Sequence, residues 1–197
     1  MIKGNNWVIF LALVFFACGG QPDVTNEKAY MKWLDDPKNG YVKKEEGEDL
    51  TFTVKRIPNE LLTHQEAKNT PPQYKVLKDS LLKRFDRDIT FLLTIAPKDA
   101  SKNVMFRDIT SLPDFKKRVN DLNFNFGQYL KLQADSLEIA PVLVSFENMY
   151  EISGQRSVLI RFLDETDDKH FINASQLTLV WVDEVFWTGG HRFILNQ

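Results

Sequence analysis

The chain has 197 residues, 43% of them hydrophobic, and its 25 basic and 27 acidic residues leave a net charge of −2. This length suits one domain with a substantial apolar core. The basic residues form no block, so the composition gives no electrostatic support for nucleic-acid binding. The single cysteine, Cys18, excludes an intramolecular disulfide and a thiol catalyst in the folded part.

The amino-terminal segment has the pattern of a secretory signal. Residues 1–6 are polar with one positive charge, and residues 7–17 are all apolar. Eleven helical residues span about 16 Å, whereas the bilayer core is about 30 Å thick, so the run is too short for a transmembrane helix. We therefore expect residues 1–17 to be a signal peptide outside the fold.

The end of the apolar run resembles the lipobox of bacterial lipoproteins. Ala17 supplies the small residue before Cys18, and Gly19 follows it, although the two residues before Ala17 are both Phe and depart from the usual pattern. The resemblance implies that the chain is cut before Cys18 and that Cys18 carries the acyl chains. Two or more chains hold a protein firmly on a membrane. Cys18 is the predicted lipidation site, and residues 18–24 are the predicted tether.

The body of the chain, residues 25–197, is predicted to form a single α+β domain. Helical spacing of apolar residues, capping residues and turn signals mark the helices. Four helices are predicted. The first follows a cap at Thr25 or Asn26 and ends at a turn over 36–40, the second is capped by Asn59 and runs to about Lys68, the third covers 73–85, and the fourth follows a Ser111 cap.

Alternating or continuous apolar runs predict the strands. Two precede residue 100, at 50–55 and 89–95, and the rest follow one another at 129–134, 141–150, 156–163, 177–182 and 192–195. The carboxyl-terminal half is therefore predicted to be an antiparallel β-sheet or sandwich, which helices from the middle of the chain cover.

The stretch VDEVFWTGGHRF, residues 182–193, lies between the last two predicted strands. Gly189 and Gly190 can adopt positive φ, which predicts a hairpin connection. Phe186 and Trp187 lie near its tip. If exposed, they would form an apolar anchor for a partner; if folded back, they would complete the core.

Motifs for catalysis and nucleotide binding are absent from the sequence. It contains no GxSxG, SxxK, GxGxxG or P-loop pattern. His64, His170 and His191 are far apart in sequence, and only Glu60 and His64 have a spacing that would put two metal ligands on one helix face. We therefore expect no enzymatic activity, no metal site and no cofactor.

The tripeptide Asp-Ser-Leu occurs twice, around Ser80 and Ser136. It is similar to the short motif at which Bacteroidota attach O-linked glycans to exported proteins. The resemblance makes both serines candidate glycosylation sites. Ser136, between predicted strands, is the stronger one, because Ser80 falls within a predicted helix.

Two longer stretches, residues 30–58 and 177–195, resemble segments of uncharacterised lipoproteins of Bacteroidota in their turns and aromatic residues. The resemblance implies an exported lipoprotein and no particular activity. Gly19 after the cysteine implies the outer membrane, since Asp there commonly retains lipoproteins in the inner membrane. Because Asp23 is the only acid close behind Cys18, we expect the protein to face the periplasm, with the cell surface as the alternative.

The sequence favours a non-catalytic accessory subunit that is anchored in the envelope and binds a protein partner there. A glycan- or lipid-binding module is the first alternative. It would need a pocket built from several of five aromatic residues: Trp33, Trp181, Trp187, Tyr129 and Tyr150. A hydrolase that combines histidines and acids from separate segments is the second.

Overall fold

The computed structural model describes residues 20–146 and 154–196. The described residues do not include Cys18 or residues 147–150, which end one predicted strand and contain Tyr150. Within them are the α-helices α1 (Glu27–Leu34), α2 (Asn59–Ala67), α3 (Tyr74–Arg84), α4 (Leu112–Asn120) and α5 (His170–Asn173). The strands are β1 (Val42–Glu46), β2 (Leu50–Ile57), β3 (Asp88–Pro97), β4 (Leu130–Ala134), β5 (Leu137–Ile139), β6 (Leu143–Phe146), β7 (Arg156–Leu163), β8 (Gln176–Asp183) and β9 (Gly189–Asn196).

The strands form two antiparallel sheets. One has the order β1-β2-β3-β7-β6 and the other the order β5-β4-β8-β9. Burial alternates along β7, β8 and β9, as expected for strands with one face towards a core. The predicted α+β class, with antiparallel sheets and helices from the middle of the chain, is confirmed.

The inner faces of the two sheets share one apolar cluster. Trp181 of β8 lies at its centre, with its ring 5.4 Å from that of Phe52 in β2 and 5.5 Å from that of Phe126. All three side chains are buried. The sheets therefore pack face to face as a sandwich, which the segment after α4 helps to close.

A second, smaller cluster lies under α1 and α2. Val24, Tyr30, Leu34 and Leu61 are its buried members. The predicted cap of α1 is present, since the Asn26 side chain accepts a hydrogen bond from the backbone N–H of Ala29 at 3.3 Å.

The start of α2 differs from the prediction. Pro58 occupies the cap position and Asn59 is the first helical residue, so the prediction that Asn59 caps the helix is wrong. Its side-chain amide instead donates to the carbonyl oxygens of Phe85 and Asp88, at 2.5 and 3.0 Å. The Asn59 side chain is therefore used at the junction between α3 and β3 instead of as a local cap, and it holds α2 against that junction.

Candidate functional site

The loop that joins β8 to β9 folds around one carboxylate. Asp183 is buried and accepts hydrogen bonds from the backbone N–H groups of Val185, Phe186 and Thr188, at 2.9, 2.9 and 3.0 Å. The Thr188 hydroxyl donates a fourth. A buried charge is costly unless it is fully hydrogen-bonded, and here four donors from the following five residues satisfy it. The loop is therefore held in one conformation.

This loop presents Trp187 to solvent with an unusual backbone. Trp187 has φ of 58° and is 70% exposed. A bulky residue with positive φ is a rare conformation that costs about 1–3 kcal/mol and persists only where the surroundings impose it. The hydrogen bonds of Asp183 to the N–H groups on both sides of Trp187 impose it here. Gly189, with φ of 95°, completes the turn in a region that favours glycine.

The structure separates the two aromatic residues that the sequence grouped at the hairpin tip. Phe186 is buried, and the guanidinium carbon of Arg118 lies 5.1 Å from its ring centre. The Arg107 guanidinium donates to the Phe186 carbonyl. Phe186 thus belongs to the core, and its assignment as a partner contact is corrected. Trp187 alone is accessible.

A buried histidine links this loop to the other sheet. The ring of His191 donates through Nδ1 to Glu45 Oε1 at 2.8 Å, and its Nε2 is hydrogen-bonded to Thr188 Oγ1 at 2.9 Å. The ring stacks on Trp181 at 5.0 Å and lies 4.5 Å from Phe52. His191 and Glu45 are 146 positions apart in the chain, so their hydrogen bond joins strand β1 to the hairpin.

Thr188, His191 and Glu45 also form the series of hydroxyl, imidazole and carboxylate that is found in catalytic triads, where the imidazole is the base and the carboxylate orients it. Here the single proton of the Thr188 hydroxyl goes to Asp183, because a carboxylate oxygen can only accept. The hydroxyl proton is thus directed at the Asp183 carboxylate and not at the imidazole. The arrangement suits a brace of the loop rather than an activated nucleophile.

Two cavities, one of them beside the loop, meet at Asp108, which has φ of 54°. One of 240 Å³ lies between the loop and α4, and its wall includes Trp187, Glu184 and the buried Arg118. The other, of 390 Å³, includes Phe106, which is exposed and stacks on Phe115 at 5.3 Å. We call Trp187 and the walls of these two cavities the Trp187 surface.

Charged groups on the Trp187 surface are mostly paired with one another. Arg107 donates through Nε to Asp49 at 2.8 Å and lies 3.1 Å from Asp108, while Lys117 lies 2.6 Å from Asp121. The side-chain hydrogen bond from Arg107 is the main cause that keeps the pKa of Asp49 below its usual value. Exposed aromatic side chains within a mixed, paired charge pattern are typical of protein interfaces.

The other candidate residues lie away from this surface. Ser80 is exposed on α3, and Ser136 is exposed in the two-residue turn that joins β4 to β5. Asp135, beside Ser136, has φ of 51° and lies 3.3 Å from His170. Both serines are accessible to a modifying enzyme in the folded chain.

Glu60 and His64, whose spacing would suit two metal ligands, are not bonded to each other. His64 contacts the Tyr74 hydroxyl at 2.6 Å and Glu27 at 3.2 Å instead. Each of the three histidines has its own partners, and no group of three metal-ligating side chains occurs within residues 20–146 and 154–196.

The aromatic residues proposed for a glycan or lipid pocket are dispersed. Trp181 is in the sandwich core, and Trp33 packs against Tyr30 and Tyr41 at ring distances of 6.0 and 5.1 Å. Of the four that the structure describes, Trp187 lines one of the cavities above.

Comparison with protein-family models, curated proteins and solved structures finds no match. In the described ranges, no helix is both long and apolar enough to cross a bilayer. The roles of Asp183, Glu45 and Arg118 were not identified from the sequence. The sequence predicted only the hairpin that contains Asp183, through the paired glycines that follow it.

Proposed function

We propose that this protein is a non-catalytic lipoprotein of the outer membrane, anchored through Cys18, whose Trp187 surface binds a protein partner in the cell envelope. The observation that carries the proposal is Trp187 itself, an exposed indole fixed in a strained conformation by the Asp183 carboxylate. Strain is retained where it serves a site, and a rigid aromatic side chain loses little conformational entropy on binding.

The anchor and the surface are complementary parts of this proposal. A lipid on Cys18 would confine the domain to the periplasmic face of the membrane, where the effective concentration of a membrane-bound partner is high. A modest interface centred on one indole is then sufficient. No metal or cofactor is needed for this function.

Membrane attachment is tested by replacing the acylated side chain. We expect Cys18→Ser to move the protein from the membrane fraction to the soluble fraction or to leave it uncut with its signal peptide, because the thiol is the site of both lipid transfer and processing. Mass spectrometry of the purified protein and fractionation measure this. A variant that is trimmed to the wild-type mass and remains with membranes would contradict the anchor.

Partner binding is tested with Trp187→Asn in the lipidated protein. Asparagine tolerates positive φ, so the substitution relieves about 1 kcal/mol of backbone strain. Trp187 is mostly exposed and makes few contacts, so the relieved strain roughly offsets the contacts that are lost. We expect the free energy of unfolding to change by less than about 1 kcal/mol, while cross-linking to the envelope partner falls at least tenfold.

The matched control is Phe124→Asn, at an aromatic residue that is 81% exposed away from the Trp187 surface. It should leave the cross-linked product unchanged. A product that persists in the Trp187 variant, or that disappears equally in both variants, would contradict the assignment of this surface.

A further inference from the structure

A separate cavity of 220 Å³ lies at the opposite end of β2, where that strand meets the beginning of β3. Gln21 and Tyr41 contribute to its wall on one side and Arg56, Asp88 and Thr90 on the other. None of these residues belongs to the Trp187 surface. The cavity is lined mainly by polar and charged side chains.

Arg56 is the unusual member of this wall. Its side chain is half-buried, and the guanidinium makes no hydrogen bond and no ion pair with any described residue. Burial lowers the pKa of Arg56 below its usual value, which reflects the cost of desolvating a charge without a partner. An uncompensated cation of this kind calls for an anion that binds from outside.

A tyrosine hydroxyl in the same wall also lacks a partner. The Tyr41 hydroxyl makes no hydrogen bond within the described part of the chain. A guanidinium and a phenolic hydroxyl around one small cavity are suited to an oxyanion, for which arginine offers a planar pair of donors.

The acids of the wall do not cancel this charge. Asp88 lies 3.4 Å from Arg161, which compensates its carboxylate, and burial raises the pKa of Asp88 above its usual value. Glu60 is exposed to solvent. The adjoining cavity of 250 Å³, which shares Gln21 and Glu60, adds a further cation, Lys78.

The position of the cavity in the chain indicates where the oxyanion comes from. Gln21, in its wall, follows Cys18 by three residues. Three extended residues reach at most about 11 Å. If Cys18 carries lipid, the mouth of the cavity is therefore held within that distance of the layer of lipid head groups.

We propose that the Arg56 cavity binds the phosphate of a phospholipid head group, which orients the domain on the membrane; this deepens the proposed function and rests on the lipid anchor. The Arg56 guanidinium and the Tyr41 hydroxyl donate to the phosphate oxygens. At 220 Å³ the cavity takes a head-group phosphate and leaves the acyl chains outside.

The test uses the full chain purified in a non-ionic detergent and titrated with glycerophosphoglycerol, the deacylated head group of phosphatidylglycerol. The readout is the ¹H–¹⁵N NMR signal of the arginine Nε–H groups. We expect a saturable shift of the Arg56 signal, and binding at least tenfold weaker in Arg56→Gln, followed through the backbone amides around the cavity. Arg192→Gln is the matched control, since Arg192 is an exposed arginine on β9 that contacts Gln133.

Three outcomes would overturn the proposal. The first is the absence of a saturable shift, and the second is equal binding of the head group by the Arg56 and Arg192 variants. The third is inorganic phosphate that binds as tightly as the head group, because the occupant would then be a free anion. If Arg56→Gln does not fold, Tyr41→Phe provides the same comparison with the charge retained. Because the probe is soluble, the titration reports on the cavity whether or not Cys18 is lipidated, and failure of the anchor is detected separately by fractionation.

Discussion

Replacement of Asp183 by asparagine should lower the free energy of unfolding by about 3 kcal/mol, one of the largest effects of any conservative change in this chain. Asparagine keeps one acceptor oxygen but turns its NH₂ group towards the N–H and hydroxyl of Thr188, both of which donate to Asp183. The loop then loses the contacts that hold Trp187 at positive φ. Chemical denaturation followed by tryptophan fluorescence measures the loss, and cross-linking to the partner should fall as it does for Trp187→Asn.

Glu184→Gln is the control for this change, because Glu184 is the next residue, is exposed and bears the same charge. It should alter the free energy of unfolding by less than about 0.5 kcal/mol. If Asp183→Asn unfolds at the wild-type denaturant concentration, the carboxylate does not organise the loop and the proposed role of Trp187 loses its structural basis.

The second large effect is expected at Asp164, at the end of β7. This buried carboxylate accepts from the backbone N–H groups of Thr166 and Ile172, at 3.1 and 2.9 Å, and from the Thr166 hydroxyl. Asp164→Ala leaves these donors without a partner, so the free energy of unfolding should fall by about 2–4 kcal/mol. The exposed neighbour provides the control Glu165→Gln, which should change it little.

The pH dependence of this loss has a definite sign. Burial alone would raise the pKa of Asp164, but the hydrogen bonds from Thr166 and Ile172 outweigh it and the pKa lies below its ordinary value. Such a group stabilises the folded state above the unfolded-state pKa, about 3.9 for aspartate, and loses that contribution as pH falls through the lower folded-state pKa. The difference between wild type and Asp164→Ala should therefore stay constant between about pH 7 and 5 and shrink below about pH 4. A difference that grows on acidification would contradict the assigned shift.

The sequence predicted strands correctly where packing in the sandwich requires buried and exposed side chains to alternate, and helices where a capping residue marks the start. The predicted strand over 156–163 has the bounds of β7, because Val158, Ile160 and Phe162 all face the core. The Ser111 cap of α4 is also present, with Asp114 N–H donating to it at 3.3 Å. Short-range geometry determines features of this kind, so the sequence predicts them well.

Strand β1 could not be found in this way. Its sequence, VKKEE, has one apolar residue, and pairing with β2 along its whole length is what makes it a strand. Lys44 and Glu46 remain exposed on it. Tertiary pairing overrides a local pattern that would otherwise suggest a solvated loop.

The site was only partly predictable for the same reason. The hairpin between β8 and β9 followed from the paired glycines, and Gly189 does adopt positive φ. Nothing in the order Val-Phe-Trp-Thr distinguishes the buried Phe186 from the exposed Trp187, because the turn breaks the alternation. The partners of the loop, Asp183 and His191 with Glu45, depend on hydrogen bonds that only the folded chain brings together.

The bond between His191 and Glu45 has a consequence for the order of assembly. The hydrogen bond joins positions that are 146 residues apart, so the loop cannot contact β1 until both segments have been synthesised. A chain truncated before Gly189 lacks the final strand as well as the imidazole. If the Trp187 surface binds a partner as proposed, such a truncated chain should not bind it.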